Sequence, residues 1–362
     1  MITELADSKL IGALVVDEAH SVLKLGYGRK TKSGKKKKAF RPAYSRLLEV
    51  RAMVGDVPLV SLTATLTPEA QQTLIRELSM TPCFSLIIPP QKDNIKYIVH
   101  SLSKDGDLDT YFQWLKEIIE EERKDMRKTL VFFHSVAKQS LVYEYLDDEL
   151  QEKGHVGDLP HNDQTHVFEL FHMKTDDSIK DSILSQFSQS SQLRCVLAST
   201  SFSMGLNIPN VELVVHFGPA MDLDDFLQET GRAGRSEGSK ALSITLLYPR
   251  CLNGSNISTS MKEVFKTKLC RREAILKPFM SNAQSLECKH DCCDICAAKC
   301  DCGNCPPSPL IALGINKESD MEGEESDYSS DSSNSNSNND SDSDSDMEVY
   351  RRKPLLILSD SE

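Results

Sequence analysis

Residues Ile11–His20 read IGALVVDEAH, an apolar run on consecutive positions that breaks into two adjacent carboxylates. Apolar side chains without alternation suit a parallel strand covered on both faces. Open α/β sheets place ligands beyond the C-terminal ends of their strands, which is where Asp17 and Glu18 fall. Asp17 is positioned to hold Mg²⁺, usually through water, and Glu18 to polarise a water that attacks a γ-phosphate. On these residues alone, a strand simply entering a polar loop reads the same way. Leu59–Leu62 has a similar apolar character and leads into SLTAT, Ser61–Thr65. Its hydroxyls can bridge nucleotide-binding carboxylates to a facing domain, or Thr65 or Thr67 can serve as an ordinary helix N-cap.

Further along, a second α/β series begins at Lys128. It predicts strands at Thr129–Phe133, Arg194–Ala198, Val211–His216 and Leu242–Leu247, with helices at Ala137–Leu150 and Leu223–Gly231. Two such units in tandem suggest two doubly wound domains facing each other across a cleft. QETGRAGR, Gln228–Arg235, sits in the second. If it continues as a helix, Gln228, Arg232 and Arg235 share one face at i, i+4 and i+7. Two guanidiniums there repel unless an anion such as a transferring phosphate faces them. The alternative is a solvated basic face, against which the two glycines argue, at ~1 kcal/mol of helix cost each.

The net charge of −12 over 362 residues is misleading, because residues 317–362 carry 14 acidic and 4 basic side chains. Residues 1–316 are nearly balanced, with 38 basic and 40 acidic. MITELADSKL lacks the pattern of a secretory signal and no apolar run is long enough to span a bilayer, so an intracellular protein with no membrane partner is expected. Eight of the 11 cysteines lie between Cys270 and Cys305, and in a reducing compartment such a cluster reads as metal ligands before disulfides. Lys317–Asp346 has almost nothing to bury and is expected to be disordered. RRKPLLILSDSE at the end is either a terminal scrap or a docking peptide, and the acidic tail is a candidate for protein partners.

VVDEAH, SLTAT, TLVFFHS (Thr129–Ser135), LRCVLASTSFSMGLNIPNVELVVHFGP (Leu193–Pro219) and QETGRAGR resemble, in order and spacing, motifs II to VI of superfamily 2 helicases. The details are most similar to the RecQ-like group, over roughly Leu10 to Cys296. The resemblance implies an α/β chain of two RecA-like parallel-sheet domains that bind ATP and Mg²⁺ between them and move on DNA, single-stranded or at duplex junctions, with 3′-to-5′ polarity. It assigns Asp17 and Glu18 the Mg²⁺ and water-activating roles, and His20 a coupling role. Ser61, Thr63 and Thr65 link hydrolysis to domain movement, Gly205 and Asn207 lie near the ribose and the DNA path, and Gln228 lies on the nucleotide side. Arg232 and Arg235 contact the γ-phosphate, Arg235 as arginine finger.

The cysteine segment supports the same group. Cys270-Arg271-Arg272 and ECKHDCCDIC give C-x17-C-x4-C-x2-C through Cys270, Cys288, Cys293 and Cys296, a tetrahedral Zn²⁺ set that would hold together a small helical platform with little core of its own. Cys292 is the alternative to Cys293. Cys300, Cys302 and Cys305 make a partial second set of only three thiolates, read as free or partner-dependent. This zinc pattern disfavours an RNA helicase of the same superfamily. RKTKSGKKKK, Arg29–Lys38, stands where RecQ-like proteins carry a DNA-sensing loop, with Lys35, Lys36, Lys37, Lys38, Phe40 and Arg41 as candidate DNA contacts. A nuclear localisation signal and a solvated insertion compete for the same run; the first would place the protein in the nucleus, with the cytoplasm as the other location.

The expected domains are 1–100 (incomplete first RecA-like domain), 101–250 (second), 251–305 (helical zinc subdomain) and 306–362 (disordered acidic tail). Departures from the family pattern accompany them. No G-x-x-x-x-G-K-[ST] phosphate loop occurs, and the first carboxylate comes at residue 17. An N-terminally truncated motor with collapsed ATP affinity is therefore expected, and residues 1–100 alone should be unstable. Leu25 stands where an aromatic is usual, Ser203 for Gly, Asn207 for Asp, and Ser236 for Asp. A non-catalytic DNA-binding or interaction module is the competing reading.

Overall fold

The computed structural model describes residues 2–26, 42–157, 165–189, 191–199, 202, 208–236, 238–280 and 282–315. The candidate DNA contacts Lys35–Lys38, Phe40 and Arg41 lie outside the described residues, as do Ser203, Gly205, Asn207, the acidic tail and the terminal RRKPLLILSDSE.

β1 (Leu14–Val16) and β2 (Leu59–Ser61) pair in parallel as a two-stranded sheet. Its inner face packs Val16, Ala19, Val22, Leu74 and Leu78 together. The expectation that both apolar strands are covered on both faces is not met: Val15 is 56% and Val60 42% exposed. Alternation along the strand sends these side chains to the face that no described element covers.

β3 (Ile95–Ser101), β4 (Thr129–Phe133), β5 (Phe168–Phe171), β6 (Cys195–Ser199), β7 (Leu213–Phe217) and β8 (Ala241–Leu247) form a second sheet in the order β3-β8-β7-β4-β6-β5. Every pairing in it is parallel. Strands β4, β6 and β7 are buried at every position. Helices Leu108–Glu122 and Val136–Leu150 help bury one face, while Asp177–Ser188 and Leu223–Thr230 help bury the other. The helix starts are signalled locally: Asp107, Ser135, Asp176 and Asp222 each accept a backbone N–H of the first turn, which satisfies one otherwise orphaned donor apiece.

The segment after β8 does not stand apart as a platform with little core of its own. Its helices Thr259–Lys266 and Arg271–Leu276 contribute Met261, Val264, Phe265 and Ile275 to the same core as β3, β4 and β7. Arg272, fully buried, donates to the carbonyls of Lys92 at 2.8 Å and Ile95 at 2.5 Å. Its guanidinium also lies 5.1 Å from the Tyr97 ring centre. Arg271 pairs with Asp294 at 2.6 Å, and Asp294 accepts the Val99 N–H at 3.3 Å. Strand β3 is the edge of the six-stranded sheet, and this segment covers that edge. No described helix is long and apolar enough to cross a membrane.

Candidate nucleotide cleft and metal groups

At the C-terminal end of β1 the chain turns sharply enough that Glu18 takes φ +47°. A non-glycine residue there costs ~1–3 kcal/mol, and such strain gathers at functional sites. Asp17 Oδ1 accepts the Glu18 N–H at 2.8 Å, which steadies the turn. Glu18 lines a cleft of about 500 Å³ between the two sheets, with Thr65, Lys92, Gln228, Arg232 and Arg235 around it. That volume falls within the ~300–1,000 Å³ of small-molecule sites. Asp17 is exposed beside the cleft rather than lining it. Ser61 closes β2, and the buried Thr65 hydroxyl in the cleft wall has no hydrogen-bond partner among the described residues, the kind of orphaned group that a polar ligand satisfies.

A chain of hydrogen bonds crosses the cleft. His20 Nδ1 lies 3.1 Å from Thr63 Oγ1, and Thr63 Oγ1 donates to the Thr65 carbonyl at 3.3 Å. That direction makes Thr63 an acceptor from His20 Nδ1–H, so His20 Nε2 is left to accept from the Gln228 amide at 3.1 Å. Burial lowers the His20 pKa against the opposing pull of Glu18, which keeps the imidazole neutral in this tautomer. One histidine thus ties the end of β1, the loop after β2 and helix Leu223–Thr230. Lys24 adds a second tie, with Asp222 at 3.0 Å, Asp224 at 3.5 Å and Asp225 at 2.9 Å. Burial alone would lower its ammonium; the three carboxylates hold it above its usual value.

The arginines reach the cleft by a different route from the one expected. The helix ends at Thr230, so Arg232 and Arg235 do not continue a face with Gln228. They stand on the turn that follows, where Gly234 adopts φ +62° and a Cβ would come within 2.5 Å of Asn94 Nδ2. A side chain at Gly231 would likewise strike the Leu227 carbonyl at 2.6 Å. The glycines thus shape the turn that delivers both arginines to one cleft. Burial and the neighbouring Arg235 push Arg232 down to about 10, so it remains a cation at neutral pH.

Two supporting residues were missed from sequence. Lys92 donates to the carbonyls of Gly231 at 2.6 Å and Ala233 at 3.3 Å, and Asn94 to those of Gly234 and Ser239 at 2.8 Å each. Both hold the arginine turn against the start of β3, and QKDN before an apolar strand gave no periodic signal for it.

The cysteines group differently from the expected set. Cys270, Cys292, Cys293 and Cys296 bring their sulfurs within 4.8 Å of one another, and Cys270 Sγ lies 3.5 Å from Cys292 Sγ. Cys288 is replaced by Cys292; it is exposed, in contact with His290 and Asp291 instead. The reason is local. Cys292 ends the short helix Lys289–Cys292 with its thiol turned into the core, whereas Cys288 precedes that helix on its outer side. Four thiolates at ~2.3 Å from a tetrahedral Zn²⁺ stand ~3.8 Å apart, so this quartet fits the ion with small adjustments. Hydrogen bonds from Cys270, Cys292 and the Cys296 N–H hold Cys293 below the usual thiol range.

Residues 110–237 match the family model "Helicase conserved C-terminal domain". The chain is 23% identical over 330 residues to ATP-dependent DNA helicase Q-like 2 of Arabidopsis thaliana, covering 87% of this chain and 42% of that protein. It is 26% identical over 317 residues to ATP-dependent helicase SGS1 of Saccharomyces cerevisiae, covering 80% of this chain and 19% of the relative. Against ATP-dependent DNA helicase RecQ of Haemophilus influenzae the identity is 25% over 232 residues, covering 62% and 30%. The chain therefore spans less than half the length of these relatives. In fold it is similar to S. cerevisiae Dbp5 bound to RNA and ADP BeF3, with a TM-score of 0.50 at 16% identity over 73% of this chain and 61% of that one.

Proposed function

We propose that this chain, similar to the RecQ-like helicases of superfamily 2, is the part of an ATP-driven DNA helicase, of 3′-to-5′ polarity, that carries motifs II to VI. The observation that carries this reading is the cleft itself: one wall offers Glu18 and the Thr65 hydroxyl, unpartnered among the described residues, and the other offers Gln228, Arg232 and Arg235. Asp17 would hold Mg²⁺, which shields phosphate charge when bound. Glu18 orients the attacking water. Arg235, with Arg232 behind it, stabilises charge on the transferring phosphate, and the hydrogen-bond chain through His20 reports that state to both sheets. Gly205 and Asn207 are proposed near the ribose and DNA. Lys35–Lys38, Phe40 and Arg41 are proposed to track DNA phosphates, in a protein that works in the nucleus. Zn²⁺ in the Cys270, Cys292, Cys293 and Cys296 quartet is structural, fixing the segment that covers β3.

No phosphate loop of the G-x-x-x-x-G-K-[ST] type occurs within these 362 residues. That observation favours a second reading for the chain by itself, a DNA-binding or interaction module without ATP turnover. DNA-stimulated ATP hydrolysis decides between them. The 362 residues by themselves should bind DNA in a salt-sensitive way and hydrolyse no ATP. With a phosphate-loop segment joined ahead of residue 1, turnover should appear, and Glu18→Gln should abolish it. Arg235→Ala should lower it by about 10³-fold or more. Turnover that survives both substitutions would place the chemistry elsewhere.

A further inference from the structure

Beyond the Cys270 quartet, a second set of metal-type ligands lies on the same segment. His290, Cys300, Cys302 and Cys305 bring one donor atom each within 4.8 Å of one another. Cys302 Sγ is 3.4 Å from Cys305 Sγ, and His290 Nδ1 is 3.3 Å from Cys302 Sγ and 3.6 Å from Cys300 Sγ. Three sulfurs at ~2.3 Å and one imidazole nitrogen at ~2.0 Å from a tetrahedral ion stand ~3.5–3.8 Å apart. The Cys302–Cys305 approach and the two from His290 lie close to that spacing. We infer that His290, Cys300, Cys302 and Cys305 form a second, structural Zn²⁺ site of the Cys₃His type, separate from the quartet of Cys270, Cys292, Cys293 and Cys296.

The sequence supplied three of the four donors and hid the fourth. His290 and Cys292 sit two residues apart on the helix Lys289–Cys292, and at ~100° per residue they project to opposite sides of it. One short helix thus serves both sites. The Cys302–Cys305 pair closes through Gly303, at φ +75°, a left-handed turn that glycine makes without strain.

The ring of His290 is also oriented as a ligand needs. Its Nε2 lies 3.1 Å from Cys288 Sγ, Cys288 donates to Asp291 Oδ2 at 3.4 Å, and Lys240 donates to the same oxygen at 2.7 Å. With Nε2–H given to Cys288, the Nδ1 lone pair faces the three thiols. A partner on the far ring nitrogen is the usual support of a metal-bound histidine. This gives Cys288, excluded from the first quartet, a place behind the second. Past Cys305, Pro306 and Pro307 lead to helix Pro309–Ala312, and Leu310 and Leu313 are buried in the core around Phe112 and Leu115. The second ion would clasp the stretch between two anchored points.

Zinc content per folded chain, measured by mass spectrometry of the purified full chain, tests the inference. Two ions are expected for the wild type, and one for the Cys302→Ser/Cys305→Ser variant and for the Cys292→Ser variant. If Cys292→Ser leaves the content unchanged while Cys302→Ser/Cys305→Ser lowers it by one, the second site stands without the first. Both positions of the double variant are exposed, so serine leaves no core cavity there. Alkylation of the unaltered chain supplies a check independent of folding: Cys300, Cys302 and Cys305 should resist iodoacetamide until a chelator is added. Zinc content indifferent to the double substitution, or rapid alkylation of all three thiols without chelator, would overturn the site.

Discussion

Just ahead of the arginine turn, Glu229 is a buried carboxyl. It lies next to Gln228 on helix Leu223–Thr230 but points into the core, 3.2 Å from His216 Nε2. Burial pushes Glu229 up to about 8 and His216 down to about 3. At neutral pH the pair is a protonated carboxyl beside a neutral imidazole, without net charge. Because the unfolded chain releases this proton in the ordinary carboxylate range, the stability contributed by Glu229 is complete in acid and is lost as pH rises through about 8. Glu229→Gln keeps the size and shape of the side chain and has no proton to lose. Its melting temperature relative to the wild type should therefore climb between pH 5 and pH 8.5; a constant difference across that range would contradict the neutral pair. Residue identities at the cleft were legible because Asp17, Glu18, Thr65 and the two arginines belong to short ordered motifs. Lys92, Asn94 and His290 were not, since their roles depend on carbonyls or ligands that only the folded chain brings near.

At the level of elements, apolar continuity made β4, β6 and β7 easy to read, because strands buried on both faces have no polar side. β5 escaped because Glu169 interrupts FELF; the folded chain tolerates it by placing it 3.4 Å from His166. β3 escaped because Lys96 and His100 punctuate an edge strand whose second cover arrives from a distant segment. That cover hinges on Arg272, whose loss would take the donor from the Ile95 carbonyl and leave the Lys92 carbonyl only the Ile95 N–H at 3.4 Å, at ~1–3 kcal/mol for a buried group left unsatisfied. Arg272→Ala should lower the melting temperature and speed zinc release to a chelator, since the cysteine segment would no longer be fastened to β3. Zinc release at the wild-type rate would show that the segment holds itself.

At the scale of the whole molecule, polar ties among the described residues join the two sheets, His20 with Gln228 and Lys24 with the acidic start of helix Leu223–Thr230. Such ties can break and re-form without disturbing either core, as the proposed motor would require to open and close on nucleotide. The tandem α/β pattern predicted two facing units from sequence, but it carried no information on which side chains cross the gap. The decisive measurement is the DNA stimulation of ATP hydrolysis for wild type and Gln228→Ala, in a chain carrying a phosphate loop ahead of residue 1. If His20 couples the sheets through Gln228, the variant should lose far more of its DNA-stimulated than of its basal hydrolysis, so that the ratio of the two falls toward one. Full DNA stimulation in Gln228→Ala would contradict that coupling.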